Sequence, residues 1–167
     1  MDHFLSVKEA VNKYIAGCEA KIHTPTGHLF VKAVLAGMMI ALGASGSSVA
    51  AHAIGNIGIA RMAAATVFPV GLMMVILMGA ELFTGDCLMV MAIADNRYAV
   101  KQLIKVLSIV YIGNFVGAIL IASGVGYSSQ LNYSDGLLGA YTIKVALAKV
   151  NMSFGEAMIS GILCNIL

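Results

Sequence analysis

The side chains best placed to do chemistry are Glu81, Thr84 and Asp86, which interrupt an apolar run that starts near Met62 and continues from Cys87 to Ala94. A carboxylate facing lipid costs about 2.5–3.5 kcal/mol on insertion scales, so both acids are expected to face protein or a water-filled path. Thr84 and the backbone amides of a half-helix resuming near Cys87 offer hydrogen bonds and a positive dipole end to an anion. Asp86 has a competing reading, because a carboxylate at a helix start caps those same amides. Glu81 is expected to hold the loop through hydrogen bonds, to Asn114 or to backbone amides, rather than to bind a cation. Lys149 precedes a further apolar segment; pointing inward it attracts small anions, and exposed it is an ordinary solvated charge. Phe68, Leu72 and Leu82 flank the polar loop, where bulky apolar side chains gate a pore by excluding water, although plain core residues have the same appearance. No Ser/His/Asp set, nucleotide loop or metal-ligand cluster is present, so neither an enzyme nor a cofactor or metal is expected.

The run that contains these residues is about 33 residues long, and as one straight helix it would reach roughly 50 Å, well beyond a hydrocarbon core of about 30 Å. The expectation is therefore a helix broken at residues 81–86, where freed backbone groups must line a cavity or bond to neighbours. With 167 residues, 60% of them hydrophobic and 11% charged, and a mean hydropathy of +0.92, the chain reads as an all-α polytopic membrane protein. A net charge of +2, spread along the chain, gives no reason to expect nucleic acid as a partner. The first thirty residues are polar and mixed in charge, which argues against a cleaved signal peptide. Cys18, Cys87 and Cys164 are odd in number and far apart and read as inert thiols.

Residues 2–22 place Phe4, Val7, Val11, Tyr14, Ile15 and Cys18 at three- and four-residue steps among mixed charges, the pattern of an amphipathic surface helix. Thr24-Pro25-Thr26-Gly27 breaks that pattern. The domain reading is thus a cytoplasmic N-terminal helix over 1–28 and a transmembrane domain over 29–167. The first span covers about Lys32 to Ile54, with Ala33, Gly37, Ala41 and Ser45 forming a small-residue face for close helix packing. Residues 53–61 read as a Gly-rich turn carrying Arg61, and His52 as a packed or interfacial histidine. A basic connector of Arg97, Lys101 and Lys105 leads to a third span, Leu103 to Val125, with a Gly113/Gly117 step. A polar segment follows, then a short helix near Leu137–Val150 with Lys144 and Lys149, and Phe154 opens a fourth span. The distribution of lysine and arginine places the N-terminus in the cytoplasm. The fourth apolar run has about eleven residues from Ala157 where about twenty are needed, so the chain is expected to be truncated within that span.

Three ordered motifs, Gly79-Ala80-Glu81-Leu82-Phe83-Thr84, Tyr111-Ile112-Gly113-Asn114 and Gly161-Ile162-Leu163-Cys164-Asn165, resemble the signatures of formate/nitrite transporters. The resemblance implies an aquaporin-like inverted repeat with broken helices, assembled as a homopentamer in the bacterial plasma membrane. Each protomer would then pass small monovalent anions such as formate, nitrite or hydrosulfide, with protons as a further partner. On the same basis Thr84 sits on the flexible loop, Leu72 and Leu82 line constrictions, Phe68 narrows the outer side, and Lys149 attracts the anion. The family's pore histidine lies on a second broken helix, and none of His3, His23, His28 or His52 matches its motif. Glu81 followed by Gly85-Asp86-Cys87 leans towards the hydrosulfide-channel branch. A proton-coupled secondary anion transporter is the alternative. An aquaglyceroporin-like pore for neutral solutes is a further one, against which stands the lack of Asn-Pro-Ala motifs.

Overall fold

The computed structural model describes residues 4–166, and side chains to residue 163, so Asp2, His3, Leu167 and the side chains of Cys164 and Asn165 lie outside the described residues. The described elements are all helical: α1 (Val7–Ile22), α2 (Thr26–Ala51), α3 (Ile57–Val67), α4 (Pro69–Met78), α5 (Phe83–Asp86), a 3-10 turn (Cys87–Met89), α6 (Val90–Ala94), α7 (Val100–Tyr127), a second 3-10 turn (Ser129–Asn132), α8 (Leu137–Val150) and α9 (Phe154–Ile166). Among the described residues, three stretches are long and apolar enough to cross a membrane, namely α2, Ile57–Met78 and α7.

Local chemistry accounts for most boundaries. Ser6 and Glu9 form a reciprocal capping box that starts α1, and Ser153 and Glu156 repeat the arrangement ahead of α9. Pro25, which cannot donate an amide, stands immediately before α2. That helix begins at Thr26 and not near Lys32, so the expected domain boundary at 28/29 falls inside its first turn. The expected turn over 53–61 is shorter: Asn56 caps the Ile59 amide at 3.1 Å and starts α3 there, placing Arg61 in a helix. Pro69 removes one helical donor, and α3 and α4 meet at Phe68.

The chain divides into two compact units. One comprises Met1–Met39 with Val75–Ile119, and the other Ile40–Met74 with Leu120–Leu167. The core of the first holds Ile15 and Cys18 of α1, Leu29 and Ala33 of α2, Met89 and Ala92 around the second half-helix, and Leu103, Val106 and Val110 of α7. The stripe of α1 is therefore partly a packing face. Helices α2 and α7 approach closely because glycine faces backbone: a Cβ on Gly37 would overlap Asn114 backbone, and one on Gly117 would overlap the Val34 carbonyl. The GxxxG step at Gly113 and Gly117 thus packs on the small-residue face of α2.

In the second unit, Gly43 packs on the backbone of Phe68 and Gly71, and the Ser47 hydroxyl donates to the Ala64 carbonyl at 3.2 Å. His52 bonds Val49 O through Nδ1 at 2.8 Å and Ser134 Oγ through Nε2 at 2.9 Å. Ser134, Asp135 and Gly136 all have positive φ and form the turn before α8.

Candidate functional site at the helix break

The break occupies residues 79–82, earlier than the expected 81–86. Gly79 adopts φ +60, its amide bonds Ile76 O at 3.2 Å, and the Ala80 amide bonds Val75 O at 3.0 Å. This is a Schellman ending to α4, and it requires the left-handed residue that glycine supplies without steric cost. Helix resumes at Phe83 rather than near Cys87, so Thr84 and Asp86 are already helical.

Asn114 of α7 ties the downstream end of the break to α2. Its Oδ1 accepts from the Phe83 amide at 2.9 Å, and its Nδ2 donates to Ala33 O at 2.8 Å and to Glu81 O at 2.9 Å. The Glu81 amide donates to Lys32 O at 3.3 Å. One side chain thus replaces the missing N-cap, because Leu82 at the cap position has none to offer. The Phe83 ring meets Tyr111 edge-on, with centroids 5.4 Å apart.

The carboxylates of the break are held by lysines and not by backbone amides. Glu81 pairs with Lys21 Nζ at 2.5 Å and with Lys32 Nζ at 3.8 Å, while its bond to Asn114 runs through the backbone carbonyl. Asp86 is 2% exposed and pairs with Lys21 through Oδ1; its Oδ2 is buried with no hydrogen-bond partner among the described residues. Asp86 stands at the cap position of the 3-10 turn that starts at Cys87, but its side chain makes no capping hydrogen bond there and is committed to Lys21 instead, which corrects the capping alternative. Two lysines thus face two carboxylates, and the break carries no net charge. Lys21 comes from α1, whose Tyr14 also donates its hydroxyl to Gly85 O at 3.0 Å. The signal for Lys21 was present, since Tyr14, Cys18 and Lys21 continue the four- and three-residue steps of the buried stripe.

Burial by itself lowers the pKa of Lys21, but hydrogen bonds and charge from Asp86 and Glu81 outweigh it and hold the ammonium above the ordinary lysine value. Burial pushes the Tyr14 hydroxyl and the Cys18 thiol up, and a thiol kept protonated is a poor nucleophile.

Thr84 is exposed, and Leu82 is half-buried at the cap of α5. Phe68, Leu72 and Lys149 belong to the other unit: Phe68 at the α3–α4 joint, Leu72 on α4, Lys149 in the last turn of α8, all exposed. Among the described residues Lys149 makes no ion pair. The structure therefore brings Glu81, Leu82, Thr84, Asp86 and Asn114 together, with the other three outside that cluster.

A set of apolar spanning helices, one of them broken around internally paired charges, defines a polytopic membrane protein of the transporter class. The family model for formate/nitrite transporters matches residues 8–167, and the chain belongs to that family. The family is one of transporters and not of enzymes. Similar proteins include the formate channel FocA of Haemophilus influenzae, 36% identical over 110 residues that make up 66% of this chain and 39% of that protein. The uncharacterized transporter YrhG of Bacillus subtilis is 39% identical over 151 residues, covering 87% of this chain and 55% of that protein. The formate channel FocA of Escherichia coli K12 is 32% identical over 154 residues, covering 89% and 54% respectively. The chain spans about half the length of these curated relatives.

Proposed function

We propose that the protein forms a channel for small monovalent anions, formate, nitrite or hydrosulfide, across the bacterial plasma membrane, with its N-terminus in the cytoplasm and as a homopentamer. The observation that carries this reading is the internal pairing of Lys21 and Lys32 with Glu81 and Asp86. Two unpaired carboxylates at a membrane break would repel an anion, whereas a neutralised pair leaves the Thr84 hydroxyl free to meet one. In this proposal Lys149 draws anions towards the membrane, and Phe68, Leu72 and Leu82 form the apolar constrictions. Membership of the formate/nitrite transporter family and the names of the formate channels among its relatives support the choice of anion class.

Reconstitution of the full-length protein in liposomes, with formate, nitrite and hydrosulfide fluxes measured side by side, tests the proposal. Dissipative flux of these anions is expected. Permeation by neutral polyols without anion flux would overturn it. The hydrosulfide preference, motivated by Gly85-Asp86-Cys87 following Glu81, fails if formate flux equals or exceeds hydrosulfide flux. Accumulation driven uphill by an imposed proton gradient would replace the channel with a proton-coupled carrier using the same residues.

A further inference from the structure

We infer that a cavity between the end of α1, the start of α2 and the first turns of α7 binds a phosphate-type oxyanion at the membrane boundary. The cavity has a volume of about 130 Å³, room for roughly four waters or one tetrahedral oxyanion. It lies apart from the helix break and uses none of the residues proposed for transport.

Its polar lining consists of His23, Thr24, Thr26, Gln102 and Lys105, over an apolar floor that includes Val106, and no carboxylate contributes to it. The Thr24 hydroxyl is already used, donating to Ala20 O at 3.3 Å, so the capacity to donate rests on Gln102 and Lys105. Gln102 is oriented by the Ala99 amide, which donates to its Oε1 at 2.9 Å; this leaves the Nε2 protons without a partner among the described residues. Lys105 makes no ion pair among the described residues. An ammonium and an amide NH2, flanked by an imidazole and the Thr26 hydroxyl with no acid to neutralise them, suit a ligand that is all acceptor and negatively charged. Thr26 begins one spanning helix, and Gln102 and Lys105 lie in the first two turns of another, so the cavity sits where a span leaves the hydrocarbon. A basic pocket between spans at that level is suited to the phosphate of an anionic lipid headgroup. Inorganic phosphate presents the same oxygens and is the other source.

The test uses the full-length protein in phosphatidylcholine nanodiscs. Native mass spectrometry reads the retention of added phosphatidylglycerol, and 31P line broadening reads the binding of inorganic phosphate. Lys105→Gln and Gln102→Leu are each expected to weaken binding by about tenfold, the loss that accompanies one charge-assisted hydrogen bond. Lys105→Arg should restore binding and Lys101→Gln should leave it unchanged. This variant pattern with phosphatidylglycerol retained over phosphatidylcholine identifies a headgroup phosphate; the same pattern in the 31P signal alone identifies the free ion at the same site. Failure of both ligands to bind overturns the inference. So does binding indifferent to both Lys105→Gln and Gln102→Leu, or equally weakened by Lys101→Gln.

Discussion

Lys21 and Asp86, 65 positions apart, form an ion pair in which the carboxylate is almost fully buried. The pair fastens the amphipathic helix α1 to the short helix that follows the membrane break. Glu81 shares the same ammonium at 2.5 Å, so one lysine serves both acids of the break.

Lys21→Met leaves Glu81 with only the more distant Lys32 and Asp86 with no cation. Removing one member of a buried pair costs about 3–5 kcal/mol, and because Lys21 retains 20% side-chain exposure a loss near the lower end, about 3 kcal/mol, is expected. Denaturant unfolding in detergent measures it. Lys21→Met combined with Asp86→Asn should recover part of the loss, and no recovery would show that the pair contributes little.

Alkaline pH should release α1. Lys21 is held above its ordinary value of 10.5, so its contribution is complete below that pH and lost as pH rises through the higher folded value. Tyr98, whose hydroxyl donates to Met89 O at 2.7 Å, is raised by burial from 10.0 to about 12 and acts in the same direction. Stability should be flat up to about pH 10 and fall above it. Tyrosinate absorbance, with Tyr98→Phe as the control, should place the Tyr98 transition above the ordinary value of 10.0; ionisation at that value would contradict the buried environment.

Asn114→Ala removes the cap on the Phe83 amide and both donors to Ala33 O and Glu81 O. At about 1 kcal/mol for each neutral bond, a loss of roughly 2–3 kcal/mol is expected. Hydrogen exchange should show the gain in protection loss at Phe83 first, while unchanged exchange there would remove the capping role.

Two glycines of the same helix should respond oppositely. Gly117→Ala drives a methyl into the Val34 carbonyl and should cost about 1–3 kcal/mol. Gly124→Ala meets nothing within 4 Å and should gain about 0.5–1 kcal/mol from helix propensity. Thermal melts of the two variants decide whether close approach of α2 and α7 is the reason for the GxxxG step.

Lys149→Ala should lower anion flux in liposomes, and by more in dilute buffer than at 0.5 M salt, because an exposed charge is screened over about 10 Å at ordinary ionic strength. Flux equal to that of the unsubstituted protein at both salt concentrations would remove the attraction role.

The class of protein was legible in the sequence because hydropathy and small-residue spacing act locally. Each span must bury its own backbone bonds, and a run of about 33 apolar residues interrupted by two acids cannot remain one rod. Residue type placed the break to within a few positions: Gly79 is the residue able to end α4 in the left-handed region, while the motif around Thr84 drew the expectation downstream. Asn56 shows the same limit, for its cap converts part of an expected turn into helix. The partners of the acids were decided only by tertiary structure. Charge pairing depends on distance in space, and nothing local to Glu81 or Asp86 names a lysine sixty or more positions earlier. Packing of Ile15 and Cys18 turned α1 so that Lys21 met both carboxylates, and α7 brought Asn114 to an amide that had no cap of its own.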